Sequence, residues 1–321
     1  MEKVCVVIPV WNELDIVDQL VERLRLATEP VPYQFEFLLV DDGSTDGTFE
    51  RLLLLQQDEP RLTVVRLSRN WGHQNAYNAG LDHVGDSDAI IMMDGDLQDP
   101  PELIPEFLKK WKEGFNVVYT VKELRTDGLI RKILTFLYYW IIDLIGEVKI
   151  EKNAGMFSLI DRKVCDQLRF IKEKSKSYPN LRTFVGFRQT SISFQRPGRV
   201  AGKPRQTLGR LLNDGLNAIF SFSFAPIRMI TVVGLVMIVI FLVAFIGVLI
   251  IRIWGIEFGI VRSIPGWTSA ILLILIVSSI NLVFLGIIGE YIARIFDEVR
   301  SRPYYLVEGV YKAEDRVEAH E

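Results

Sequence analysis

Two uncharged apolar stretches, residues 229–251 and 267–289, constrain this chain more than any other feature. Each runs for about 23 residues, and roughly 20 suffice for a helix to cross the hydrocarbon core of a bilayer. Lipid offers no partner for an open backbone N–H or C=O, so a spanning segment of this kind must be helical. Two spans in tandem return the chain to the side it left. Arg210 and Arg228 precede the first stretch, and Arg294, Arg300 and Arg302 follow the second. Such basic flanks mark the cytoplasmic side. Arg252 and Arg262 between the stretches weaken the asymmetry without reversing it. The chain begins Met1-Glu2-Lys3 and passes straight into a short apolar run, without the long apolar core of a signal peptide. The N-terminal domain is therefore expected in the cytoplasm.

The first 120 residues read quite differently. Short apolar runs at 4–10, 35–40, 62–67, 89–93 and 116–120 have the length of buried strands. Between them, 14–26, 48–57, 74–82 and 101–112 carry apolar residues at helical spacing. Alternating strands and helices predict an α/β domain, a mostly parallel sheet with helices on both faces. In such a sheet the ligand lies beyond the carboxyl ends of the strands. Polar clusters fall at those ends: Asn12-Glu13, Asp41-Asp42, Ser68-Arg69-Asn70 and Asp94-Gly95-Asp96. One such cluster is ordinary turn chemistry; four at one edge make a site.

Charge and cysteine usage narrow the classes. The net charge of -3 provides no field for nucleic acid, so an anionic partner needs local basic clusters. The 2 cysteines, Cys5 and Cys165, have no metal-ligand spacing and no disulfide framework, as in a reducing compartment. Residues 128–145, apolar and aromatic over most of their surface, are expected as a helix that is either buried or laid on a membrane surface. Residues 194–206 are a basic loop containing Gly and Pro, and 208–224 are again amphipathic.

Asp94 and Asp96, one residue apart at a strand end, present oxygens suited to a hard divalent cation, and Gln98 adds a neutral oxygen. Such a cation keeps part of its sphere for phosphates. A lone D-x-D is a weak signal, but here it sits inside D-G-D-L-Q-D-P-P.

With these stretches in view, the chain resembles the family 2 glycosyltransferases of GT-A fold. Within them it resembles the polyprenyl-phosphate glycosyltransferases, which include bacterial polyisoprenyl-phosphate glucosyltransferases and dolichol-phosphate mannose synthases. The matching stretches are V-V-I-P-V-W-N-E at 6–13, V-D-D-G-S-T-D-G-T at 40–48, L-S-R-N-W-G-H at 67–73 and D-G-D-L-Q-D-P-P-E at 94–102. Later come N-A-G-M-F at 153–157, R-V-A-G-K-P-R at 199–205, G-E-Y-I-A-R-I at 289–295 and R-P-Y at 302–304. The likeness covers nearly the whole chain up to about Tyr311, after which a disordered tail is expected.

The resemblance implies a UDP-sugar donor, Mg2+ or Mn2+, a polyprenyl phosphate acceptor and a homotetramer in a bacterial plasma membrane, with the catalytic domain cytoplasmic. It implies that Pro9, Trp11, Glu13 and Asp41 hold the nucleoside, with Asp41 accepting from uracil N3–H, and that Arg69 lies near the base or pyrophosphate. Asp94, Asp96 and Gln98 fall at the metal and diphosphate site. Arg125, Arg131, Arg199 and Arg205 fall where the acceptor phosphate is guided. An Arg fork suits phosphate because it donates two parallel hydrogen bonds. Asp94, Asp96, Arg199 and Arg205 would thus carry the catalysis, an inverting transfer of a hexose, with glucose as the first choice.

Two positions depart from the family pattern. Arg205 replaces a common Lys and keeps the charge. Met156 stands where many glucosyltransferase relatives have Asp; a thioether is a poor partner for a sugar hydroxyl, so the contact there is changed. Mannose, galactose or an aminoarabinose derivative stays open as donor sugar, as does a non-catalytic membrane scaffold or translocator. His73 either contacts phosphate or simply begins a helix. Glu290 suits a headgroup contact, and Asn281 a bond between helices. The expected organisation is a catalytic domain over 1–205, a juxtamembrane helix over 206–226, two spans over 227–290 and a cytoplasmic tail over 291–321.

Overall fold

A computed structural model describes residues 1–122, 154–173, 176–194, 266–313 and most of 230–247. Its strands are β1 (Lys3–Val10), β2 (Gln34–Asp41), β3 (Leu62–Leu67), β4 (Ala89–Met92), β5 (Val117–Lys122), β6 (Ala154–Asp161), β7 (Gln189–Phe194) and β8 (Val307–Tyr311). The helices are α1 (Val17–Thr28), α2 (Thr48–Asp58), α3 (His73–Asp82), α4 (Ile104–Lys112), α5 (Arg162–Phe170), α6 (Tyr178–Phe184) and α7 (Gly266–Val299). The strands form one sheet in the order β7-β5-β6-β4-β1-β2-β3-β8.

β1 shows why the chain folds this way. It is buried from Val4 to Val10. Side chains alternate across a strand, and here both sets are apolar. Val4, Val6, Ile8 and Val10 pack with α1, α2 and α4, while Cys5 and Val7 pack with α3, α5 and α6. Burial on both faces requires a helix layer on each side. Parallel pairing of β1 with β2 and β4, and of β2 with β3, then brings the ends of four strands to one edge.

The expected parallel core is present, but the sheet is mixed. β6 runs antiparallel between β4 and β5, β7 joins β5 in parallel, and β8 adds an antiparallel strand to β3. β8 lies after the apolar region, where no strand was expected. Residues from Arg302 onward belong to the compact unit of the sheet, and α7 to a second unit. Gln56 Nε2 donates to the Tyr311 carbonyl at 2.8 Å, Tyr305 donates to Asp82 at 2.7 Å, and Tyr304 to the Lys172 carbonyl at 2.9 Å.

The spans are supported in part. Among the described residues one helix is long and apolar enough to cross a membrane, Ile276–Val299 within α7. The described part of the first apolar stretch is helical, with Val232–Ala244 as a shorter apolar helix. The expected interfacial segments 128–145 and 208–224, the loop 195–206 and the tail beyond 313 lie outside the described residues.

Helix α3 packs on β1 through Gly80, where a Cβ would come within 2.2 Å of Val7 Cγ1 and 3.3 Å of Val40 Cγ2. Alanine gains about 1 kcal/mol of helix propensity over glycine, but a methyl pressed against a stiff valine of a central strand has nowhere to go. Gly80→Ala is expected to destabilise the protein by about 1–3 kcal/mol. Val7→Ala in the same chain should recover part of that loss, as read by denaturant midpoints.

Candidate active site

The site is built at the edge where β1 to β4 end. After β1 the chain turns through Trp11, Asn12 and Glu13, with Asn12 at φ 54°, a left-handed conformation that asparagine tolerates. That turn is stitched to the one after β2. The Asn12 N–H donates to Ser44 Oγ at 3.0 Å, the Thr45 N–H to Asn12 Oδ1 at 2.9 Å, and the Glu13 N–H to Thr48 Oγ1 at 2.9 Å.

Asp41 and Asp42 close β2 and are both buried. Asp42 holds the next loop, since its oxygens accept the Trp71 N–H at 2.7 Å and the Gly72 N–H at 3.0 Å. Gly43 makes this close approach possible: at φ 68°, a Cβ there would lie 2.4 Å from the Arg69 carbonyl carbon. Burial raises the carboxyl of Asp42 despite those two donors. Asp41 accepts the Ser44 N–H at 3.1 Å through Oδ1. Its Oδ2 is buried with no hydrogen-bond partner in the described structure, and Arg66 Nε stands 3.9 Å away. Glu308 of β8 lies nearer to that nitrogen, at 3.0 Å. Burial also raises the carboxyl of Asp41. Arg69 is exposed, its guanidinium 3.8 Å above the Trp71 ring.

The loop after β4 carries the paired carboxylates. Gly95 packs against the end of β1, where a Cβ would meet the Pro9 carbonyl at 3.0 Å. Asp94 Oδ1 accepts the Tyr77 hydroxyl at 2.9 Å and lies 3.1 Å from His73 Nε2. The Asp94 N–H donates to buried Asp99 at 3.1 Å, and the Gln98 N–H to Asp96 Oδ1 at 3.1 Å. Leu97 between them takes φ 59°, a strained conformation of the kind that collects at functional sites. Burial disfavours a charged His73, but the hydrogen bond to Asp94 and the charges of Asp94, Asp42 and Asp96 outweigh it and raise its pKa.

Pro9, Trp11, Glu13, Asp41, Arg69, Asp94, Asp96 and Gln98 thus all lie on the loops or strand ends of one edge. Pro9 and Gln98 are buried there, and Trp11, Glu13, Asp94 and Asp96 are partly exposed. Arg125, Arg131, Arg199 and Arg205 lie outside the described residues. Sequence reasoning placed Asp42 in a strand-end cluster without giving it a role, and it did not single out Tyr77, Asp99, Arg66 or Glu308. Tyr77 stands four residues after His73, one helical turn on, and that spacing marks the pair as neighbours. Nothing local marks Glu308, whose role needs β8.

Known proteins resemble this chain along much or nearly all of its length. The model of glycosyl transferase family 2 matches residues 5–169. An uncharacterised glycosyltransferase of Bacillus subtilis (strain 168) is 37% identical over 97% of this chain and 95% of its own length. The bactoprenol glucosyl transferase of Shigella phage SfII is 32% identical over 95% of this chain and 97% of its own. Among solved structures, glucosyl-3-phosphoglycerate synthase from Mycobacterium tuberculosis, in complex with Mn2+, UDP and phosphoglyceric acid, superposes with a TM-score of 0.46 at 15% identity, over 68% of this chain and 78% of that one. The chain belongs to glycosyltransferase family 2. It is a glycosyltransferase enzyme.

The buried acids give a prediction of stability. A carboxyl raised on folding binds its proton more tightly in the folded state, so its contribution is greatest below the ordinary value of 3.8 and is lost as pH rises through the folded value. At neutral pH, Asp41 therefore costs stability. Asp41→Asn is expected to raise the thermal midpoint of the sheet domain at pH 7 by about 2–4 °C, the shift that about 1 kcal/mol brings to a unit of roughly 150–250 residues. Scans at successively lower pH should show the gain shrinking.

Proposed function

We propose that this enzyme transfers a hexose, glucose first, from a UDP-sugar to a polyprenyl phosphate at the cytoplasmic face of a bacterial membrane. The observation that carries the donor site is the orphaned acceptor of Asp41. A buried oxygen without a donor is costly, and it sits beside the turn of Pro9, Trp11 and Glu13 at a strand end. The N3–H of uracil would satisfy it, with Trp11 stacked on the base and Arg69 beside the base or pyrophosphate. A lipid acceptor is favoured by the relatives named bactoprenol glucosyl transferase, which align along nearly the whole chain.

The carboxylates fit a divalent cation. Asp94 and Asp96 are hard oxygen donors one residue apart, steadied by Tyr77, His73 and the Gln98 N–H. Among the described residues no group of three or more His, Cys, Asp and Glu forms a ready-made cage. Mg2+ or Mn2+ held by Asp94, Asp96 and Gln98 would complete its sphere from the diphosphate and water. Bound there, it would neutralise charge on the departing nucleoside diphosphate. The acceptor needs no general base, because a phosphate monoester with a second pKa of about 6 is already anionic at neutral pH. Arg199 and Arg205, with Arg125 and Arg131, would aim its oxygen at the anomeric carbon for in-line, inverting displacement.

Topology supports the anchor. β7 ends at Phe194, and β8, which begins at Val307, belongs to the same sheet. A chain that leaves a sheet and rejoins it crosses any bilayer an even number of times. If α7 crosses once, the stretch 229–251 crosses back. Both spans, with the segments 128–145 and 208–224 at the headgroup plane, would hold the active site where a lipid phosphate resides. A homotetramer belongs to this proposal as well.

Two experiments test it. The purified protein with undecaprenyl phosphate, Mg2+ and a panel of labelled nucleotide sugars should place label in the lipid extract. Asp96→Ala should lower that rate by about 100-fold or more. Asp41→Asn should stay folded yet bind UDP about 10-fold more weakly, loss of one buried hydrogen bond to a ligand being worth that much. Absence of transfer from every donor by folded protein would leave the scaffold reading in its place. For topology, Ser263→Cys in whole cells should react with a membrane-impermeant maleimide while Lys312→Cys does not. The native Cys5 and Cys165 are buried and stay silent. Equal labelling would refute a crossing by α7.

A further inference from the structure

Arg182 of α6 is the largest fully buried side chain among the described residues, 1% exposed. Its Nη2 donates to the Gly155 carbonyl at 2.7 Å and its Nη1 to the Met156 carbonyl at 3.3 Å. The Tyr119 ring lies 5.6 Å from its Cζ. Among the described residues no carboxylate pairs with it; the groups that favour its charge are the phenols of Tyr119 and Tyr77. Burial lowers its pKa to about 10, which leaves it a cation at neutral pH. Fold stability does not call for such a group, because a buried charge is commonly replaced by apolar residues at no loss. What the charge does is strengthen the two bonds to carbonyl oxygens.

Those carbonyls belong to β6, the neighbour of the strand that precedes the paired carboxylates. β6 runs antiparallel to β4 with Met92 opposite Ser158. The pairing stops there, two residues before Asp94 on one strand and two residues after Met156 on the other. The Met156 carbonyl also accepts the Ser158 hydroxyl at 2.8 Å, so two donors fix it from different elements. The Met156 side chain packs against the cluster of Tyr119, Tyr178 and Leu181, on the sheet face that α6 covers. Tyr77, whose ring centroid lies 6.1 Å from that of Tyr178 in α6, donates its hydroxyl to Asp94.

We propose that Arg182 is a positioning residue for the donor sugar, its fork holding the Gly155–Met156 backbone as the wall of the sugar subsite next to Asp94. The proposal rests on the donor site described above and adds which internal group sets its sugar side. Gly155 and Met156 belong to β6, which pairs with β4 next to the Asp94 loop, whereas the nucleoside would lie at β1 and β2. Loosening this wall therefore acts on the sugar and leaves the nucleotide in place.

Arg182→Lys keeps the charge and loses the planar fork. In the full-length detergent-solubilised protein, UDP affinity with Mn2+ should stay within about twofold, while kcat/KM for UDP-glucose with undecaprenyl phosphate falls about 10- to 100-fold. A merely structural role would lower UDP affinity and transfer together. Unchanged transfer, or a parallel loss of both, overturns the proposal. Should Arg182→Lys fail to fold, Ser158→Ala removes the other donor to the Met156 carbonyl. It should show the same split at about 3- to 10-fold, and unchanged transfer in it overturns the proposal too. Wild-type protein that binds no UDP with Mn2+ would overturn the donor-site reading and this proposal with it. The split seen in either variant bears on the proposal alone.

Discussion

A strand buried on both faces has nowhere to put a polar side chain except at its ends. β1 is such a strand, and β2, β3 and β4 share the condition along most of their lengths. Parallel pairing follows, because helices must cover both faces and each crossover supplies one. Polar residues are thereby driven to the carboxyl edge, where the chain turns from strand to helix. The site is thus a consequence of the way the sheet is buried, with its residues placed by four separate turns.

Those turns hold one another through side-chain to backbone bonds. Asn12, Ser44 and Thr48 join the first two, Asp42 joins the second to the third, and Tyr77 with His73 ties the third to the fourth through Asp94. Several of these groups are charged and buried, an arrangement unfavourable in water-excluding surroundings unless bonds are supplied. Asp42 has its bonds within the protein, whereas Asp41 keeps an oxygen without one. Such an edge leaves one buried acceptor open to an N–H donor.

After α7 the chain returns to the same sheet. β8 pairs with β3, and Glu308 sits beside Arg66, the cation nearest to Asp41. Residues beyond α7 thus reach to within one side chain of Asp41. Tyr304 and Tyr305 fasten the same segment to Lys172 and Asp82.

Much of this was legible in the chain itself. The core strands and helices α1 to α4 follow from apolar runs and 3.6-residue spacing, and the polar clusters at strand ends named the edge that became the site. Those signals are local: each depends on residues within one turn or one strand. The antiparallel insertion of β6, the edge strand β8, the bonds of Asp42 and the burial of Arg182 were not legible. Each depends on partners far apart in sequence, such as Arg182 with Gly155 or Arg66 with Glu308. The sequence by itself determined which segments bury both faces and where polar chemistry must surface, since hydrophobicity and period are properties of single segments. Only the tertiary structure decided which of those polar groups meet, because register and strand order arise from packing between segments that carry no mark of one another.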